Sequence, residues 1–164
     1  MSFILTLEFN STLQNFFEQQ RRQHYPFHLN KVPAHVSVFH QLPEKYFVKI
    51  NTKLNEITSD NVCVPVTISG IKFLGRGNAY SLDFDQTLFL QLRKAWSTWL
   101  ISQDKQTWQP HVTIQNKVSI EEAKLLNQAL YTQSIPLYGN IIGLNLWRYL
   151  DGPWEFIKMY PFQC

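Results

Sequence analysis

The feature that most constrains this chain is a doubled strand pattern. His35-Val36-Ser37-Val38 and His111-Val112-Thr113-Ile114 share one order: imidazole, apolar, hydroxyl, apolar. In extended backbone, residues i and i+2 point to the same face. Each tetrapeptide therefore turns an imidazole and a hydroxyl one way and presents two β-branched residues to a core the other way. Doing this twice, about half a chain length apart, implies a diverged internal duplication. Two such strands side by side would surround one small concave site with two imidazoles and two hydroxyls. Pro33 and Pro110 stand just upstream, and each motif feeds a helical pattern and then a strand pair.

The remaining periodicities fill in the order of elements. Ser2 to Phe9 alternates as a strand, and Ser11 opens a helix with Gln14 placed to complete a capping box. That helix should fade before Pro26, leaving Tyr25 to Pro33 as a loop. His35 to Leu42 is the next strand. Pro43 begins a helix whose apolar face is Phe47, Ile50, Leu54 and Ile57. Val62 to Phe73 reads as a strand, with Pro65 favouring an edge or a bulge. Gly75-Arg76-Gly77-Asn78 turns it into Ala79 to Phe84. A long amphipathic helix follows from about Gln86 to Gln103, with Leu88, Leu92, Ala95, Trp96, Trp99 and Leu100 as one stripe. His111 to Gln115 is a strand, and Ser119, with Glu122, caps a helix running to about Thr132. Gly143 to Tyr149 and Trp154 to Tyr160 are the last strands, joined at Asp151-Gly152-Pro153. The order β-α-β-α-β-β-α-β-α-β-β lacks long crossovers, so the sheets are antiparallel and the class is α+β. No linker divides the halves, so residues 1–164 are expected to form one domain of two packed lobes.

Composition removes several functional classes. Hydrophobic residues make up 45% of the 164, including 12 Phe, 7 Tyr and 5 Trp, enough for a sizeable core. The net charge of +3 comes without a run of like charges beyond Arg21-Arg22, so no duplex-binding arm is present. Cys63 and Cys164 have neither CxxC spacing nor a disulfide framework, and a reduced, cytoplasmic setting is expected. Ser2 to Glu8 does not read as a secretory leader. The longest uncharged run, Leu125 to Trp147, is too polar and too broken to span a membrane.

The doubled motif suits phosphodiester cleavage. One neutral histidine can take a proton from water while a protonated one gives a proton to the departing oxygen. An unperturbed imidazole pKa of about 6.5 lets both forms exist near neutrality. Ser37 and Thr113 can donate to the phosphoryl oxygens as charge develops. No HxH, HExxH or acidic cluster accompanies either histidine, so neither a metal nor any other cofactor is expected. The other candidates have plainer readings. His24, His28 and His40 are ordinary loop or strand-face residues, with His40 on the site's face only if its strand stays regular past Phe39. Arg76 is a solvated hairpin tip, Trp108 is either a base-stacking residue or core, and Trp96 and Trp99 are core. Of Arg148 and Tyr149, at most one faces the cleft.

On these motifs the chain resembles the two-histidine (2H) phosphoesterases, in particular the bacterial RNA 2′,3′-cyclic phosphodiesterases historically called 2′-5′ RNA ligases. The likeness covers nearly the whole chain in element order, and the two tetrapeptides in identity. It implies two pseudo-symmetric α+β lobes with helices packed outside and the two HxS/T motifs in a central cleft. By position it implies that His35 donates a proton to the leaving oxygen and His111 accepts one from water, with Ser37 and Thr113 binding phosphate. The substrate implied is a cyclic-ended RNA, oligonucleotide or nucleotide, opened to a 2′-phosphate, with ligation as the reverse reaction. No membrane or metal is involved, and a monomer is expected. Family members often carry a basic residue soon after the second motif, whereas Gln115 and Asn116 precede Lys117 here. Rival readings are cleavage of 2′-5′-linked oligonucleotides, cyclic dinucleotides or small nucleotide cyclic phosphates, and an inactive nucleotide-binding module of the same fold.

Overall fold

Strand alternation and helical periodicity resolve into the expected order in a computed structural model, which describes Met1–Cys164. The elements are β1 (Ser2–Phe9), α1 (Ser11–His24), β2 (Ser37–Pro43), α2 (Phe47–Ser59), β3 (Val64–Phe73), β4 (Asn78–Phe84), α3 (Thr87–Ala95), β5 (His111–Gln115), α4 (Ile120–Leu130), β6 (Tyr138–Tyr149) and β7 (Trp154–Pro161). Every strand pairing is antiparallel, and the order is β2-β1-β6-β3-β4-β5 with β7 also on β6. β6 is longer than its alternation suggested, and its two halves do different work. Tyr138 to Ile141 pair with β3, whereas Gly143 to Tyr149 pair with β7 on that same edge. One lobe is therefore β2-β1-β6-β7 and the other β5-β4-β3 with the start of β6. The motif strands β2 and β5 are the two outer ends. Pro65 lies where β3 is paired on one side only, since its pairing with β4 starts at Val66. That position needs no second ladder hydrogen bond from an N–H that proline lacks.

The helices cross between lobes. α1 follows β1 but packs chiefly on β5, while α3 follows β4 and lies against β2. α2 covers β6 and β7, and α4 covers β3 and β4. A single cluster of 29 buried apolar residues runs through both lobes. It includes the alternate motif residues Val36, Val38, Val112 and Ile114, each at most 2% exposed. Burying a Val or Ile side chain contributes roughly 1.5–3 kcal/mol, so these residues fix which face of each motif strand turns away from the core.

Four local expectations need correction. Ser11 does not open a capping box: Asn10 stands at the N-cap, and its side chain accepts instead from the Asn140 N–H. Gln14 turns to Glu18 and to the Ala34 carbonyl. The capping role expected of Ser119 is realised, with its hydroxyl accepting from the Glu122 N–H at 3.1 Å. The long helix ends at Ala95, and 3₁₀ turns at Ser97–Trp99 and Ser102–Lys105 follow. The buried Arg93 guanidinium donates to the carbonyls of Asp104 and Gln106, which folds this segment back over the helix end. The aromatic stripe still packs, Trp96 on Phe39 and Trp99 on Tyr46, but not as one helix. Next, β2 starts at Ser37, with His35 just outside it, although the Leu7 N–H still reaches the Val36 carbonyl. Finally, Cys63 and Cys164 pair as a disulfide, their Cα atoms 5.1 Å apart. The bridge between Val62 and Gln163 lays the two segments side by side, a proximity that spacing does not encode.

The β3–β4 turn closes against the exit of β5. A Cβ on Gly77 would meet the Gln115 carbonyl oxygen at 1.9 Å, and the obstacle is backbone. Gly77→Ala should therefore cost roughly 1–3 kcal/mol of stability, as overpacking does, by denaturant unfolding. An unchanged midpoint would mean that the turn and β5 separate freely.

Candidate active site

Both motif histidines are oriented by the same local device. His35 Nδ1 lies 2.8 Å from the Pro33 carbonyl oxygen, and His111 Nδ1 lies 2.7 Å from that of Gln109. A carbonyl can only accept, so each Nδ1 carries the proton and donates two residues back. This leaves Nε2 as the uncommitted nitrogen of each neutral ring. In the first motif the acceptor is Pro33 itself, whereas in the second Pro110 follows the acceptor Gln109 and restricts it to extended backbone.

One cavity of about 390 Å³ brings His35, Ser37, His111 and Thr113 together, with His40, Lys72, Arg93, Asp104, Trp108 and Gln109 also on its wall. The Ser37 carbonyl accepts from Trp108 Nε1 at 2.9 Å, and the Thr113 carbonyl accepts from Arg21 at 3.0 Å. Their hydroxyls make no hydrogen bond within the protein and stand available to a ligand. The cavity is polar and concave, the setting in which a few fixed donors act strongly on a small anion.

The protein's own groups hold both imidazoles below the ordinary value. Burial pushes His35 down to about 4, and the positive charge of Arg21, His40 and His111 adds to it against the opposing Pro33 carbonyl. The His35 ring also leans on Trp154, with centroids 4.7 Å apart. His111 is lowered chiefly by burial, with Lys72 and His40 adding repulsion. An anion bound between the rings would reverse these effects by favouring the charged form.

Several wall residues escaped sequence reasoning. His40 reaches the cavity, but through an irregular strand: Val38 and Phe39 are both buried, and register shifts in the β1–β2 pairing follow. Its Nδ1 bonds Asp104 at 2.7 Å. Burial alone would raise the Asp104 carboxyl, yet donation from the His40 ring and the His40 and Gln41 N–H groups outweighs it and lowers the pKa. The one available hint was a carboxylate, Asp104, inside an otherwise polar stretch. Trp108 packs on Phe84 and Phe89 while its indole holds β2, so its part is positional. Arg76 stays on the exposed hairpin turn, where its Nε also donates to the Val118 carbonyl at 2.9 Å. Arg148 is spent on Glu44 and Glu155, and neither it nor Tyr149 lines the cavity. His24 ends α1, and His28 sits in a 3₁₀ turn.

The fold, two pseudo-symmetric α+β lobes, is that of the two-histidine phosphoesterase superfamily. The crystal structure of TT0787 of Thermus thermophilus matches with a TM-score of 0.71 at 14% identity, over 99% of this chain and 98% of that one. E. coli LigT complexed with 3′-AMP matches at 0.59 and 12% identity, over 99% and 98%. A third structure, described as a phosphoesterase, matches at 0.56 and 15%, over 99% of each chain. At such identities the likeness is one of fold. A sequence search of curated proteins finds no match. The pattern of the 2′-5′ RNA ligase superfamily matches residues 9–153, and the chain belongs to that superfamily. No helix is long and apolar enough to cross a membrane.

The depressed imidazoles make stability depend on pH. Between about pH 6.5 and 4 the unfolded chain protonates His35 while the folded chain keeps it neutral, so the unfolded state binds more protons. This contribution is complete above about pH 6.5 and is lost as pH falls towards 4; His111 acts with the same sign. The denaturant midpoint should fall across that window, and His35→Gln should fall less steeply. Equal slopes in the two proteins would contradict the assignment of a buried neutral ring.

Proposed function

We propose that residues 1–164 act as one bilobal, metal-independent phosphodiesterase that opens 2′,3′-cyclic phosphate ends of RNA or oligonucleotides to a 2′-phosphate. The observation that carries this reading is the paired site. Two rings with identically spent Nδ1 atoms offer Nε2 to one cavity, beside two uncommitted hydroxyls. His111 Nε2 takes a proton from water, and the water oxygen bonds to phosphorus. The P–O3′ bond breaks as the proton on His35 Nε2 passes to O3′. The products are a 2′-phosphate and a 3′-hydroxyl, and proton exchange with solvent resets the rings. Ser37 and Thr113 donate to the two non-bridging oxygens as negative charge builds on them.

Substrate binding has a second task here. With His35 held near 4 by the protein alone, its acid form is scarce at neutral pH. The incoming anion supplies the charge that raises it, so the proton donor is armed when the phosphate arrives. LigT, which shares the fold, has been crystallised with 3′-AMP, and a nucleotide is the corresponding ligand proposed here.

The test is a panel of cyclic-ended oligonucleotides, cyclic dinucleotides and 2′-5′ oligoadenylates, incubated in EDTA with products identified by phosphorus NMR. Cyclic ends should open to 2′-phosphates. His35→Ala and His111→Ala should each lower kcat by roughly 10²–10⁴-fold. Ser37→Ala and Thr113→Ala should each cost up to about 10²–10³-fold. Near-normal turnover by either histidine variant would overturn the acid–base assignment. A rate abolished by EDTA and restored by Mn²⁺ would overturn metal independence. Oligonucleotide binding with no turnover would make the protein a binding module.

A further inference from the structure

Two long cationic side chains line the cavity that holds His35 and His111, and only one is at liberty. Arg93 is buried and fully engaged with the carbonyls of Val38, Asp104 and Gln106. Lys72, on β3, has a single partner: its ammonium donates to the Gln109 side-chain oxygen at 3.0 Å, in an exposed hydrogen bond. The Gln109 backbone carbonyl is the acceptor that orients His111. Lys72 is therefore tethered beside the second motif by a neutral amide that an anion can displace.

Sheet register explains how a lysine from β3 reaches a site on β5. Lys72 stands opposite Ala79, and Ala79 opposite Thr113. Lysine and threonine thus share one face two strands apart, roughly 10 Å. The adjacent row on that face is Gly70, Ser81 and His111. Gly70 has open space where a side chain would stand. Small residues, Ala79, Ser81 and Gly70, floor the passage from the second motif to β3. Asp83 lies a row further on, outside the cavity wall.

We propose that Lys72 receives a second phosphate of the substrate, carried on the 5′ side of the nucleotide whose cyclic phosphate lies between the imidazoles. The inference rests on the phosphodiesterase reading. The cyclic phosphate has two non-bridging oxygens, and the Ser37 and Thr113 hydroxyls already match them, which leaves the lysine charge unused. Exchanging a neutral amide for a phosphate oxygen makes a stronger, charge-assisted hydrogen bond. It also neutralises a cation that repels protonated His111. The site thereby selects 5′-phosphorylated or chain-extended nucleotides over simple cyclic mononucleotides.

Calorimetric titration with adenosine 3′-monophosphate and adenosine 3′,5′-bisphosphate tests this without requiring turnover. The wild type should bind the bisphosphate about tenfold or more tightly at low salt, the range of a hydrogen bond to a charged group. In Lys72→Met that advantage should shrink towards one, and Lys72→Arg should restore much of it. Because the readout is a ratio within one protein, a general loss of folded protein does not mimic the result. A wild-type ratio near one, or an undiminished ratio in Lys72→Met, would overturn the proposal. A lysine-dependent ratio in a protein that opens no cyclic phosphate would support the subsite and overturn the phosphodiesterase reading alone.

Discussion

Two buried arginines hold the outer edges of the motif strands, each reaching over from a helix of the opposite half of the chain. Arg21 on α1 donates to the Thr113 carbonyl on β5, and Arg93 on α3 donates to the Val38 carbonyl on β2. β2 and β5 end the sheet, so these carbonyls have no neighbouring strand to pair with. A buried carbonyl left without a donor costs about 1–3 kcal/mol, and a side chain satisfies it here. A guanidinium serves well because its several donors spread over several acceptors: Arg21 also holds Asn30, and Arg93 gathers the segment after α3. The crossing of α1 and α3 between lobes is thus what sets the two motifs against each other.

That architecture brings positive charge close to the imidazoles. Arg21 and His40 bear on His35, and Lys72 and His40 bear on His111, while burial withdraws water from both rings. The site is consequently short of negative charge, although the whole chain carries a net charge of only +3. A phosphate entering it meets two hydroxyls with no competing partner and two rings whose protonation it favours. Binding and proton supply are coupled through the same electrostatics. On the phosphodiesterase reading proposed above, this coupling would keep the acid form of His35 for the moment the anion is present.

Much of this was legible in the chain. The order of all strands and helices, the α+β class and the grouping of His35, Ser37, His111 and Thr113 followed from period-two alternation and from repetition of one motif. The misreadings share a cause. The stripe from Leu88 to Leu100 is amphipathic as a helix would be, yet its end is decided by where Arg93 finds carbonyls. Asn10 takes the N-cap but spends its side chain on Asn140, far along the chain. His40 joins the wall because β2 buries two residues in succession, and alternation cannot anticipate a bulge. Cys63 and Cys164 meet because two strand ends run together.

Sequence alone determined which side chains share a face, because side-chain direction alternates with extended backbone regardless of what packs nearby. It therefore settled that each motif pairs an imidazole with a hydroxyl over a buried apolar pair. Tertiary structure decided what faces them: Lys72 from β3, Trp154 from β7, and His40 with Asp104 from a loop beyond α3. These residues come from distant parts of the chain, and none is placed by a local rule. Strand register, the crossing of the helices and the capture of free carbonyls placed them, and each depends on contacts between residues that sequence order keeps far apart.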